Sequence, residues 1–439
     1  MSTWQDLVTA SLIGTERSPV PPAGIPGVLT PDPASPGRDP AAILLDRAAL
    51  LTAARRAGRR PDQAEPPPAA EPDPRPAVSR TAGRRLARML GGEHPDLLAE
   101  WLTAATASGL RPPPQLLPAL LDRARRGGSE DWDLPRLVAE AGGPRARWLA
   151  GLNAEWQFAL AETTTGDEAW RLGTASQRRA YLTALRARDP GAARELVAAS
   201  WASAGTAERV MFMKVMTRGL SLADEPLLEA ARGGGPGSVS AMAADALMAL
   251  PGSALSQRMA GVAVRRLRLE QDRRGPRLVL VPPTASDAAM QRDGITPGLD
   301  AAGPGLAPTG GMTFHIVARI PLRTWTQEFG LTAAQIVAVP AGEWAPSLFT
   351  AWSRAAVWQG DHDWMAALIG QALTGRSPRM AAEIQALDTL VRRADPALGA
   401  PDALPGPRPD AVPAVGAALR VLRFRYEMLK ELAHDHGDG

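Results

Sequence analysis

Three chain breakers sit one period apart, and that spacing limits what this chain can fold into. Asp189-Pro190, Gly219-Leu220-Ser221 and Pro251-Gly252-Ser253 are separated by 31 positions (189 to 220, then 220 to 251). A fixed period of this size belongs to stacked supersecondary units rather than to one closed fold. Each breaker divides two apolar stripes at helical spacing. Tyr181, Leu182 and Leu185 precede the first, and Ala193, Leu196, Val197, Ser200 and Trp201 follow it. Val210, Met213 and Met216 are answered by Leu227, Leu228 and Ala231; Ala243, Ala246, Leu247 and Leu250 by Leu255, Met259, Val262 and Ala263. The recurrence at i, i+3, i+4, i+7 predicts six short helices in three pairs.

Cap residues support those boundaries. Thr174-Ala175-Ser176-Gln177 has capping-box form. Asp189 then Pro190 reads as N-cap then first helical residue, where the missing proline N–H costs nothing. Ser221, Ser238 and Ser253 are predicted to start further helices. Helices this short are marginal alone, so each pair must lie on its neighbours. The expected fold is all-α: an α-solenoid of short HEAT-like repeats with a small β insertion.

The runs GTASQRRAYLTALRARDPGAARELVAASW, ADEPLLEAA and AADALMALPGSALSQRM carry a resemblance. So do WQDLVTASLIGTER, RARWLAGLNAEWQFAL and DAAMQRDGI. Together they resemble an uncharacterised bacterial domain-of-unknown-function family. The resemblance implies no established activity. It implies genes lying beside those for a MoxR-type AAA+ ATPase, a von Willebrand factor A-domain protein and a SWIM zinc-finger protein. The chain departs from the family pattern at ARGGGPGSVSAMAAD, where glycines stand in place of charged helix-starting residues and leave that start open.

Six segments are expected: N-terminal helices and loop (1–60), a proline-rich linker (61–78), a helical region (79–175), the repeat block (176–267), a loop-rich segment with short strands (268–322) and a C-terminal helical region (323–439). Trp4 to Ile13 reads as a helix with Leu7, Val8, Ser11 and Leu12 on its apolar side, ended by Gly14. Ala41 to Ala57 reads as a second helix. Four more are expected near 79–90, 95–107, 114–125 and 133–141. Arg277 to Val281 and Met312 to Ile320 are strand-like. Ala345 to Gln359, Asp361 to Leu373, Met380 to Arg393 and Val412 to Leu432 return to helix.

Chemistry is harder to find. The chain has no cysteine, which rules out disulfides and thiolate metal sites and suits a reducing cytoplasm. No signal peptide or membrane span is read. The pI near 9.9 overstates the charge, because the net charge is only +3 and all but two of 49 basic residues are arginine. Within 176–267 there are 12 basic and 7 acidic residues, a mild bias rather than a phosphate-tracking stripe. HExxH, GxxxxGK[ST] and GxSxG are absent, and Asp361-His362-Asp363 is better read as a helix N-cap than as a metal site. No catalytic residue, cofactor or metal is assigned.

The candidate partner-binding or loop-anchoring residues are Arg292, Asp293, Trp148, Asn153 and Trp156. Arg292 and Asp293 lie in a long glycine- and proline-rich segment, a setting often functional; they anchor either a partner or the loop itself. Trp148 and Trp156 flank Asn153. They form either a ligand platform or inter-repeat packing in which each indole N–H finds an acceptor. The leading expectation is a non-enzymatic protein-interaction scaffold or adaptor in the cytoplasm, partnering a MoxR-type ATPase or a von Willebrand A-domain protein. The alternative is a nucleic-acid-binding HEAT-like protein resembling the alkylpurine DNA glycosylases. That alternative needs Arg178, Arg179, Arg209 and Arg218 on one face.

Overall fold

The computed structural model describes residues 4–21, 38–57, 67–127, 133–160, 167–234, 237–281, 293, 314 and 316–434. The chain divides into two compact units, Met1–Ala69 and Ala70–Gly439.

The smaller unit pairs α1 (Trp4–Ile13) with α2 (Pro40–Ala57). Gly14 ends α1 at φ +91°, a conformation that favours glycine. Arg47 of α2 donates to the carbonyls of Val20 (2.7 Å) and Pro21 (2.6 Å) and so holds the chain leaving α1. The buried face of α1 differs from the expected one. Leu7 and Ala10 point inward, while Val8, Ser11 and Leu12 are exposed. Apolar residues lie nearly all round this helix, so periodicity does not select a face. The small Ala10 permits close approach to α2.

The described residues of the larger unit are mainly α-helical, with one two-stranded sheet. Its helices begin with α3 (Arg80–Leu90), α4 (Leu98–Ala107), α5 (Leu117–Arg126), α6 (Leu134–Leu152) and α7 (Asp167–Arg171). The spaced breakers then divide α8 (Ala175–Arg188) from α9 (Pro190–Ser200), α10 (Thr206–Met216) from α11 (Glu225–Gly234), and α12 (Gly237–Met248) from α13 (Ala254–Ala263). After the sheet come α14 (Leu322–Phe329), α15 (Ala333–Ala338), α16 (Ala345–Gln359), α17 (His362–Thr374), α18 (Ala381–Arg393) and α19 (Pro413–His434).

The predicted caps form. Thr174 and Gln177 make a reciprocal capping box. The Asp189 carboxylate accepts from the Ala192 N–H at 3.0 Å, and Ser253 Oγ accepts from Ser256 N–H at 3.2 Å. Ser238 caps nothing: it lies within α12, which starts at Gly237. Asp361 caps α17 through the Trp364 N–H, and Gly360 closes α16 at φ +64°.

Two strands form one antiparallel hairpin, β1 (Leu267–Asp272) and β2 (Gly275–Leu280), in register Leu267 to Leu280 and Leu269 to Leu278. The described part of Met312–Ile320 is a helical turn rather than the expected strand. Ile316, Val317, Ala318 and Ile320 are all buried, and contiguous burial of this kind is not the alternation a half-exposed strand needs.

One large core runs through α3–α6, α11–α13, the hairpin and α14–α19. A smaller one joins α8, α9 and α10 through Leu182, Val197, Phe212 and Val215. The last helix, α19, returns onto α3 and α4 near the start of the unit. Arg85 meets Glu431 at 2.8 Å and Glu427 at 3.0 Å, and Arg425 meets Glu100 at 2.7 Å.

The proline-rich stretch is stapled at its C-terminal end rather than spanning freely. Ala77 bridges Arg111, whose N–H donates to Pro76 O at 2.9 Å. Arg75, held by Asp73, donates to the carbonyls of Glu140 (3.2 Å) and Ala141 (3.0 Å). These carbonyls are free because α6 breaks at Gly143 (φ +53°, ψ −141°), just before Pro144. A Cβ at Gly143 would collide with the Arg75 guanidinium and come within 2.9 Å of the Asp73 carboxylate. Gly143→Ala is therefore expected to cost about 2 kcal/mol from backbone strain and lost staple together. Faster proteolysis at 70–78 with a lowered Tm checks this; an unchanged cleavage rate contradicts it.

Candidate functional site

A group of described polar side chains gathers where α11, α12, α13 and α16 converge with residues 293 and 319. Glu229 and Arg232 stand one turn apart on α11 and pair at 2.6 Å. Arg258 is a lone charge on otherwise uncharged α13 and turns toward the same point. It grips Asp293 with two parallel bonds, Nη2 to Oδ1 at 2.8 Å and Nε to Oδ2 at 3.1 Å. Arg232 adds a longer contact to Asp293 at 3.8 Å. The buried Arg319 donates to the Asp293 carbonyl at 3.0 Å. Beside them Arg354 of α16 meets both oxygens of Asp245 at 3.1 Å and lies over the Trp358 ring.

Burial governs the electrostatics here. Desolvation pushes the Asp245 carboxyl up despite Arg354 and Arg319. It pulls the Arg319 guanidinium down. Both shifts disfavour charge, as expected where water is excluded. A bidentate guanidinium–carboxylate pair is a strong geometric lock. Its chemistry is anchoring: residue 293 is tied to α11 and α13 through its side chain and to residue 319 through its carbonyl.

The structure thus places Asp293 in an arginine socket built from Arg258, Arg232 and Arg319. Its predicted companion Arg292 lies outside the described residues. Asn153 and Trp156 both make hydrogen bonds within the chain. Asn153 Oδ1 caps a 3-10 turn through the Glu155 N–H at 3.0 Å, and the Trp156 indole N–H donates to the Asp122 carboxylate at 3.0 Å. Trp148 is half-buried on α6. The arginines required for a DNA-binding face are half-buried and have partners within the chain. Arg178 pairs with Glu208 at 2.8 Å and Arg218 with Asp133 at 3.1 Å. Arg209 bonds the Trp201 carbonyl at 3.2 Å and covers its ring, and Arg179 is engaged as well.

Sequence reasoning missed Arg258 and Arg319. Each had a signal: an isolated arginine in an apolar helix, and an arginine between buried positions in HIVARI. Among the described residues, no three acidic or histidine side chains are grouped to hold a metal ion. An apolar crevice between α17, α18 and α19, lined by Ile369, Leu373, Leu387 and Val415, leaves no space for a water molecule.

A mainly α-helical protein with one small β-hairpin and an internal arginine–carboxylate anchor is the class these features define. The chain belongs to a family of unknown function (DUF5691), whose model matches residues 6–398. No curated protein and no solved structure matches it.

Proposed function

We propose that this protein is a non-enzymatic scaffold or adaptor of the cytoplasm. In this reading the paired helices α8–α13 are HEAT-like units that hold its shape, and the partner is a MoxR-type AAA+ ATPase or its von Willebrand A-domain companion. The observation that carries the reading is on α1. Trp4, Val8 and Leu12 recur at i, i+4 and i+8, and all three are exposed, Leu12 at 82%. An apolar helical stripe left in water is what a helix-in-groove contact uses. Two further observations support it: the Asp293 socket is filled by the chain's own carboxylate, and no described helix is long and apolar enough to cross a membrane.

The test is capture of tagged protein from its own host, with and without ATP, beside a Val8→Ser/Leu12→Ser variant. The expected result is stoichiometric recovery of the ATPase or the A-domain protein by the parent chain, reduced at least tenfold by the double substitution. Both side chains are exposed, so the variant should melt as the parent does. Recovery of neither protein by the parent chain overturns the reading.

A further inference from the structure

The β-hairpin and the two arginines that lead into it carry more positive charge than the whole chain. Residues 265–277 contain Arg265, Arg266, Arg268, Arg273, Arg274 and Arg277 against Glu270 and Asp272, a net of +4, while the full sequence is +3. The remaining residues therefore sum to −1. This charge is local, and the arginine-rich composition of the chain does not account for it.

The fold presents that charge outward. Pairing in register puts Leu267, Leu269, Leu278 and Leu280 on the face turned to the core. The opposite face holds Arg268 across from Val279 and Glu270 across from Arg277. Arg273 and Arg274 form the tip, before Gly275 at φ +113°. Arg265, Arg268, Arg273 and Arg274 are exposed, and among the described residues none of the four forms an ion pair. Only Arg277 is neutralised, by Glu270 at 3.1 Å and Asp272 at 3.8 Å. Elsewhere in the larger unit arginines are commonly spent on internal partners, as with Arg85, Arg186, Arg258 and Arg425. At the hairpin four lie close together without an ion-pair partner among the described residues.

We infer that this hairpin is a docking ribbon for the phosphodiester backbone of a nucleic acid. Its free charge gathers at the base (Arg265, Arg268) and at the tip (Arg273, Arg274). Residues 268 and 273 are separated by about 17 Å at strand rise. A two-stranded ribbon is one of the few elements a DNA major groove of about 12 Å admits, and guanidiniums at its two ends reach the flanking phosphates. The alternative polyanion, an acidic protein surface, fits less well. Protein interfaces centre on desolvated apolar or aromatic anchors. Between the free arginines the outward face offers only Glu270, Asp272, their paired Arg277 and the half-buried Val279. Phosphate binding needs no apolar centre, because released counterions drive it. This inference does not depend on the adaptor reading.

The test is titration of a mixed-sequence 20-base-pair DNA duplex by fluorescence anisotropy, from 50 to 200 mM KCl, with the full chain. Four phosphate contacts give a slope of log K against log salt near about −3.6. Arg273→Glu/Arg274→Glu is expected to flatten that slope by about 2 and weaken binding roughly 50-fold at 100 mM. Arg420→Glu/Arg423→Glu, the same change in net charge on an exposed face of α19, is the control and should leave the slope within about 0.5. Should the tip variant fail to fold, Arg265→Glu/Arg268→Glu tests the other end of the ribbon. Absence of binding at 50 mM KCl overturns the inference, as does an equal loss in the control pair. Displacement of the duplex by poly-glutamate as effectively as by unlabelled DNA overturns it too, and assigns the ribbon to an acidic polypeptide.

Discussion

A chain ending at residue 398, where the family match stops, is expected to be insoluble or molten. The missing segment holds α19, whose buried side chains include Val415, Leu419, Val421, Leu422, Phe424, Met428 and Leu432. At about 1.5–3 kcal/mol for each large apolar side chain, these contribute on the order of 10–20 kcal/mol as an upper bound. That is comparable to the entire stability of a typical domain. The loss is also electrostatic. Arg85 on α3 is buried and gives up Glu427 and Glu431, and Glu100 on α4 gives up Arg425. The carbonyls of Val391 and Ala394 at the end of α18 lose the Arg425 donors that now reach them at 2.7 and 2.9 Å. Removing one partner of a buried ion pair costs more than the pair contributes, because the survivor stays desolvated. Soluble yield, dye binding and a calorimetric melt check this. A cooperative melt within a few degrees of the full chain contradicts it.

The structure explains which parts of this arrangement could be read in advance. Helices α8 to α13 were legible because local chemistry fixes their ends: a capping box at Thr174, Asp189 before Pro190, and Ser253 after Pro251-Gly252. The faces of α16 and α17 were legible because Leu348, Trp352, Ala355, Trp364 and Leu368 recur at helical spacing and all are buried. Strand β1 was missed because LRLEQD turns only Leu267 and Leu269 inward, which is too short an alternation to separate from coil. Helix α15 was missed although Thr332 and Gln335 spell its capping box. The pairing of Arg258 with Asp293 spans 35 residues, and the clasp of Arg85 on Glu431 spans 346. Ion pairs across such distances leave no periodic trace. A charged residue shows that it needs a partner but not which one.

The same limit applies to Arg186 and Asp224, an ion pair buried at both ends, and it sets the second large expectation. Asp224→Ala should cost about 3–5 kcal/mol, the price of stranding a buried charge. The pair is almost fully enclosed, with side-chain exposures of 2% for Arg186 and 0% for Asp224. Arg186 Nη1 and Nη2 donate to the two Asp224 oxygens at 2.8 and 2.7 Å. The same guanidinium caps the end of α10 through the carbonyls of Met216, Arg218 and Gly219. Asp224 in turn accepts from the Ser221 N–H at 2.9 Å and from Arg194 at 3.2 Å, so it fixes the turn between α10 and α11. Burial alone would push the Asp224 carboxyl up, but Arg186, the Ser221 N–H and Arg194 outweigh it and hold it below its ordinary 3.8. A depressed carboxylate contributes its full stabilisation above the unfolded value and loses it as pH falls through the folded one. Amide exchange across 175–232 should therefore stay protected at pH 5 and above in the parent chain and accelerate below about pH 4. In Asp224→Ala the same amides should already exchange faster at pH 7, and the step attributable to Asp224 should vanish. Because α8, α9 and α10 share a core of their own, the loss should be confined there first and leave α16 and α17 protected. Uniform deprotection of the whole unit would show instead that the two cores unfold as one. An unchanged exchange rate at pH 7 would show that Arg186 finds another acceptor, leaving the pair dispensable.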